Sequence, residues 1–170
     1  VLGCSSFFQE KNTDKIIFYT TSKHAFVQSE TLKKEHEDLI KILGCKFRFM
    51  SFDAVNQLDV IPSQKLLNEF ENLIMEIKPD TVLLTNPSYN QDHRAIYEAM
   101  LTALRPHDKI PFVKKIFLYE QPETFGTLRK VEPFRSTYYR PLNIEFKIEA
   151  IKKYHSQIRG HRSEEHIRTI

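Results

Sequence analysis

The sequence has only four glycines in 170 residues, and they form no glycine-rich loop of the kind that cradles phosphates. That counts against the common nucleotide-binding fingerprints. Cysteine is nearly absent too. Cys4 and Cys45 are the only two, they make no CxxC pair, and no disulfide framework can be built from them. A reducing compartment, and so a cytoplasmic location, is expected. No apolar run approaches the ~18 residues needed to span a bilayer, so no membrane span is expected. Charge of one sign is also scarce. Against 22 acidic residues stand 25 Lys and Arg, a net +3 that gives no argument for a nucleic-acid partner. Internal repeats and low-complexity tracts are missing as well.

What remains is an ordinary globular balance, 41% apolar and 28% charged. The length suggests one domain over residues 1–170. A chain of this size can bury roughly 70% of its unfolded surface, enough for a real core.

Apolar patterning alternates between two kinds of segment. Ile16–Tyr19, Phe47–Phe52, Val82–Leu84 and Ile116–Tyr119 read as short strands. Between them lie helical faces. Leu32, His36, Leu39, Ile40 and Leu43 make one, with Gly44 as its stop. Leu66, Leu67, Phe70, Leu73, Ile74 and Ile77 make a second, with Ser63 as its expected cap and Pro79 at its end. Ile96, Ala99, Met100, Ala103 and Leu104 make a third, closed by Pro106. A last helix is expected from Ile144 to Ile158. Strands alternating with helices of this length argue for β-α-β units. The expected class is α/β, Rossmann-like, with a mainly parallel sheet and helices on both faces.

In such folds ligands sit beyond the carboxyl ends of strands. The stretch "NPSYNQDHRAIYEA" leaves the third strand at such an end. It sets Asn90, Asp92, His93 and Arg94 at the mouth of a helix, whose free N–H groups favour negative charge. Read from spacing alone, Asp92 is a helix cap and His93 a first-turn surface residue, because metal sites show at least three ligands. His155, His161 and His166 near the end fit no zinc spacing and read as a solvated basic surface. The long segment from Glu120 to Tyr139, rich in aromatic and basic residues, is expected to be a loop forming the substrate rim.

A family resemblance sharpens this. "VLGC" at 1–4, "ILGC" at 42–45, "FDAVNQLD" at 52–59, "IKPDTVLLTNPSYNQDHRAIYEAMLTALRP" at 77–106 and "FKIEAIKKYHSQI" at 146–158 fall in the order seen in the PIG-L/LmbE-like deacetylases, which the chain resembles. The resemblance implies a zinc-dependent (divalent-metal) hydrolase that removes acetyl groups from N-acetylglucosamine-type sugars or related amides. It carries the metal-ligand role to His93 and a site-ordering catalytic role to Asp92. Asn90 stands where many members have a histidine that stabilises the reacting oxygen. Arg94 and Arg105 are candidates to face the sugar or an attached phosphate, with helix-surface salt bridging as the alternative.

The resemblance also sets an expectation about the ends. The family's His-Pro-Asp-Asp-Glu motif, which supplies two further ligands and the base, normally stands directly before the "VLGC" segment. Since the sequence opens at Val1, truncation is expected at the amino terminus, and at the carboxyl terminus as well. One imidazole cannot hold catalytic zinc, so this chain alone is expected to be nearly inactive. A lost first strand would leave a sheet edge through which copies associate, making a homo-oligomer an expected state. The alternative reading is a non-catalytic carbohydrate-binding or scaffold relative. A nucleotide-binding domain is disfavoured by the shortage of glycine.

Overall fold

The computed structural model describes residues 2–22, 30–50, 52, 57–88, 90–107, 111–119, 135–158, 160 and 163–169. Among them the helices are α1 (Ser5–Phe8), α2 (Glu30–Leu43), α3 (Ser63–Ile77), α4 (Gln91–Ala103), α5 (Ile144–Lys152) and α6 (Glu164–Thr169). The strands are β1 (Ile16–Ser22), β2 (Lys46–Met50), β3 (Thr81–Thr85) and β4 (Lys115–Tyr119). The chain divides into two compact units, Val1–Asp53 with Pro122–Ile170, and Ala54–Gln121. Each holds one parallel strand pair and the helices around it. The α/β class with parallel strands expected from the sequence is the class observed.

In the first unit β1 pairs with β2, in register from Ile16–Lys46 to Tyr19–Phe49, with an irregularity before Ser22–Met50. β1 is built of β-branched and aromatic residues, which suit a pleated, half-buried surface. β2 alternates exposed Lys46 and Arg48 with more buried Phe47 and Phe49. The core gathers Ile17, Leu39, Leu43 and Ala150, with Phe8, Tyr19, Phe47 and Phe146 packed on it. α2 therefore contributes its apolar stripe as its periodicity requires. Gly44 ends that helix at φ +58, a left-handed conformation that costs glycine nothing.

The last helix is shorter than its sequence pattern suggests. α5 stops at Lys152, and His155–Gln157 forms a separate 3-10 turn. The cause is tertiary. Glu35 on α2 accepts hydrogen bonds from the Ser156 backbone N–H (2.8 Å) and its hydroxyl (2.6 Å). Tyr154 Oη meets His36 Nε2 at 3.1 Å. These polar anchors draw residues 154–156 onto α2, and the helix gives way.

In the second unit α3 buries Leu66, Phe70 and Ile74, spaced four apart on one face. Phe70 is wholly enclosed. Ser63 is the first residue of this helix and not its cap. Pro62 holds the cap position, with its carbonyl accepting from Lys65 N–H at 2.8 Å, and no side chain caps the end. Proline suits this entry because it has no N–H to leave unsatisfied. Lys78, in a left-handed conformation (φ 50), closes the helix before Pro79. β3 and β4 are parallel and in unbroken register from Thr81–Lys115 to Thr85–Tyr119. Asn86 N–H donates to Tyr119 O at 3.1 Å and so carries the ladder one residue beyond β3. α4 packs on both α3 and β3.

Candidate functional site

The chain leaves β3 through Asn86, Pro87 and Ser88 and enters α4 at Gln91. Asn90 is the helix cap. Its Oδ1 accepts the Asp92 N–H at 2.8 Å, satisfying one of the helix's unpaired first-turn donors. Capping by Asn90 frees the Asp92 carboxylate for a different partner. Asp92 is buried, and its Oδ1 accepts the backbone N–H of Leu58 at 2.9 Å. Leu58 opens a 3-10 turn (Leu58–Val60) and is itself almost fully enclosed. Two sequence stretches, "NQLD" and "NQDH", are thus joined by one charge-assisted bond spanning 34 residues.

His93 is half-buried one residue on. Its Nδ1 lies 2.7 Å from Ser88 Oγ. The same hydroxyl oxygen accepts the Asn90 N–H at 3.2 Å. The Ser88 carbonyl accepts from Arg94 Nη1 at 2.9 Å. Ser88, Asn90, Asp92, His93 and Arg94 therefore form one connected cluster at the carboxyl end of β3. Ser88 is its hub, and the pattern of residue types gave no reason to single it out. A hydroxyl five residues before a histidine has no periodic relation to it, and only the loop's path brings the two together.

Arg105 lies elsewhere. It follows the far end of α4, roughly 20 Å from the cap at ~1.5 Å per helical residue. Its Nη1 bonds Glu71 Oε1 at 3.2 Å and the Thr102 carbonyl at 2.7 Å. Of the expected substrate rim over Glu120–Tyr139, residues 120–134 lie outside the described residues. Tyr138 and Tyr139 are exposed.

The sequence pattern that defines the PIG-L family, described as GlcNAc-PI de-N-acetylase, matches residues 12–104, and the chain belongs to this family. The match contains the whole Ser88–Arg94 cluster and the Leu58 turn. Family membership points to a deacetylase-type hydrolase. In fold the chain is similar to a conserved protein, TT1542, from Thermus thermophilus, known from its crystal structure. The TM-score is 0.71 over 92% of this chain and 73% of that one, at 19% identity. No curated protein matches the sequence.

Members of this family are generally metal-dependent. His93 fits one ligand of such a site. A hydroxyl on Nδ1 is the kind of outer partner that orients a ligating imidazole toward coordination through Nε2. Asp92 fits less well, since one of its oxygens is committed to a buried backbone donor. Among the described residues, no group of three or more His, Cys, Asp or Glu side chains is arranged to hold a metal ion. The described residues alone therefore do not complete a metal site. Likewise, no helix among them is long and apolar enough to cross a membrane.

Proposed function

We propose that this chain belongs to a cytoplasmic, zinc-dependent hydrolase that removes the acetyl group from an N-acetylglucosamine-type sugar or a related amide. His93 is its ligand within residues 1–170, taken as a single domain. The observation that carries the reading is the Ser88–His93–Asp92 arrangement at the end of β3, inside the stretch that matches the family. A bound zinc ion supplies a Lewis acid and a water with a pKa lowered to about 7.

The chain's own residues do the positioning. Asp92 ties the first turn of α4 to the Leu58 turn and so sets where His93 stands. Asn90 commits Oδ1 to its cap, so its Nδ2 hydrogens are the part offered to the acetyl oxygen. Arg94, exposed beside the cluster, supplies positive charge for a sugar hydroxyl or an attached phosphate.

The test is zinc content and acetate release by the full-length protein on an N-acetylglucosamine conjugate, wild type against His93→Ala. Zinc affinity is expected to fall about 100-fold or more, beyond the ~10–100-fold typical of losing an outer hydrogen-bond partner. Acetate release should disappear with it. Unchanged zinc content in His93→Ala, or a wild type that neither binds zinc nor releases acetate, refutes the proposal. The second outcome leaves the non-catalytic carbohydrate-binding reading in its place.

A further inference from the structure

Glu35 and His36 stand side by side on α2, and both are buried. Such side chains are seldom enclosed unless they are paired. Here both turn to one short stretch of the first unit. The Glu35 carboxylate accepts the Ser156 N–H at 2.8 Å and the Ser156 hydroxyl at 2.6 Å. His36 Nε2 lies 3.1 Å from Tyr154 Oη, and the two rings pack edge-on at 4.9 Å. Tyr154 and Ser156 are the two neighbours of His155. That histidine opens the 3-10 turn His155–Gln157, and its carbonyl accepts the Ile158 N–H at 3.1 Å. Its backbone is therefore held on both sides and across the turn, while its side chain is exposed.

The turn has a defined place on the strand pair. α2 ends at Leu43 and β2 begins at Lys46, so that end of α2 lies at the amino end of the strands. Glu35 lies about 12 Å back along the helix at ~1.5 Å per residue, close to the ~13 Å rise of β2 at ~3.3 Å per residue. Ring contacts agree. Tyr19 meets His36 at 4.6 Å and stacks at 5.4 Å on Phe49, the residue before the last of β2. The Tyr154–Ser156 stretch thus sits toward the carboxyl ends of β1 and β2, the side on which α/β folds take their ligands.

From this arrangement we infer that His155 contacts a phosphate group of the ligand, and that Glu35 and Ser156 are its positioning residues. An imidazole N–H donates well to a phosphate oxygen, and the bond is charge-assisted. Lys153, also exposed, adds positive charge two residues earlier. The Glu35 carboxylate is enclosed and directed at Ser156, so a ligand at this turn meets the imidazole and not that acid. One of the histidines that spacing reads as solvated surface thereby acquires a task. The choice of a sugar phosphate as the natural ligand rests on the proposed function. Phosphate binding at His155 does not, because it needs neither zinc nor turnover.

The test is an NMR titration of the full-length, metal-free protein at constant ionic strength. The probes are inorganic phosphate, N-acetylglucosamine 1-phosphate and N-acetylglucosamine. The readout is the ring C–H signals of His155, assigned by their loss in His155→Ala. Both phosphates should shift these signals saturably, and the neutral sugar should not. Tighter binding of the sugar phosphate identifies a sugar conjugate as the source of the group, and equal binding identifies free phosphate. In His155→Ala, phosphate affinity read from the backbone amides of residues 153–157 should fall about 10–100-fold, the range for a lost charge-assisted bond. Ring signals that phosphate leaves unmoved overturn the inference. So does a neutral sugar that moves them as far, or a His155→Ala variant that binds phosphate as wild type does.

Ser156→Ala tests the positioning role, since it removes one of the two donors to Glu35 and leaves the imidazole in place. Phosphate affinity should fall about 2–10-fold, the range of one net hydrogen bond, and Ser156→Thr should recover it. An alanine variant that binds as wild type, or a threonine variant that behaves as the alanine one, overturns that role. A wild type that binds phosphate at His155 but neither holds zinc nor releases acetate refutes the proposed function and leaves this inference standing.

Discussion

Burying a carboxylate in the first turn of a helix is costly unless its oxygens find donors. Asp92 meets that condition in two ways. The Leu58 N–H donates to it at 2.9 Å, and the positive end of α4 favours its charge. Removing the acceptor strands a donor in an enclosed position, because Leu58 is 1% exposed. Asp92→Ala should therefore lower unfolding stability by about 1–3 kcal/mol, as expected for a buried donor left without a partner. Asp92→Asn keeps an oxygen in place and should lose less than alanine does. Urea unfolding at constant m-value measures both. An alanine variant as stable as wild type would show that water, not Asp92, can satisfy Leu58. The same variants ask whether Asp92 works on the site through the fold, since a displaced first turn would shift His93 as well.

At the scale of elements, the two helix ends that turn left-handed make a natural pair. Gly44 at φ +58 has open space where a Cβ would sit, so Gly44→Ala is opposed by backbone strain alone. A cost of about 1–2 kcal/mol follows from the left-handed penalty. Lys78 at φ 50 already bears that strain. Lys78→Gly should relieve it and raise stability by about 0.5–1 kcal/mol, the strain released less the entropy that glycine loses on folding. Thermal melts of both variants decide the matter, and a destabilised Lys78→Gly would show that the lysine side chain itself holds the end. Glycine made the first of these ends legible in the sequence. Pro79 marked the second, without revealing that Lys78 would adopt the unusual conformation. The four strands were legible because β-branched and aromatic residues cluster there, and α2 to α4 because their apolar stripes are regular. The end of α5 was not legible, since it is set by Glu35 and His36 from a helix over a hundred residues earlier. The site was legible in the same measure. Asn90, Asp92 and His93 stood out as residue types at a strand's end. The Leu58–Asp92 and Ser88–His93 bonds depend on chain paths that no local period encodes.

Across the whole molecule, stability should depend on pH in two separate windows. The first belongs to His36, which is enclosed between Tyr19 and Tyr154, with ring centroids 4.6 and 4.9 Å away. Its Nδ1 donates to the Leu32 carbonyl at 2.8 Å, and its Nε2 accepts from Tyr154 Oη. Burial pushes the Tyr154 hydroxyl up to about 12, so it remains a donor. The neutral ring is thus satisfied at both nitrogens. Burial holds the His36 pKa below its ordinary 6.5, outweighing the raising effects of the Leu32 bond and of the Glu35 charge. The unfolded chain therefore takes up this proton more readily than the folded one. The contribution of His36 is complete above pH 6.5 and is lost as pH falls through 6.5 toward its lower folded value. The second window belongs to Glu145 and Glu164. Hydrogen bonds from Arg168 to Glu145, and from Lys152 and Arg168 to Glu164, hold both below the usual 4.5. Their contribution is present above 4.5 and is lost only below it. Between about pH 7.5 and 5.5, on either side of the ~6.5 of a free imidazole, Tm should fall in the wild type. In His36→Gln it should fall by less than half as much, even if that variant starts from a lower Tm. Equal slopes in the two proteins would move the acid sensitivity away from the α2 clamp. Below pH 4.5 both proteins should lose further stability in parallel, as the carboxylates of the α5–α6 ion pairs take up their protons.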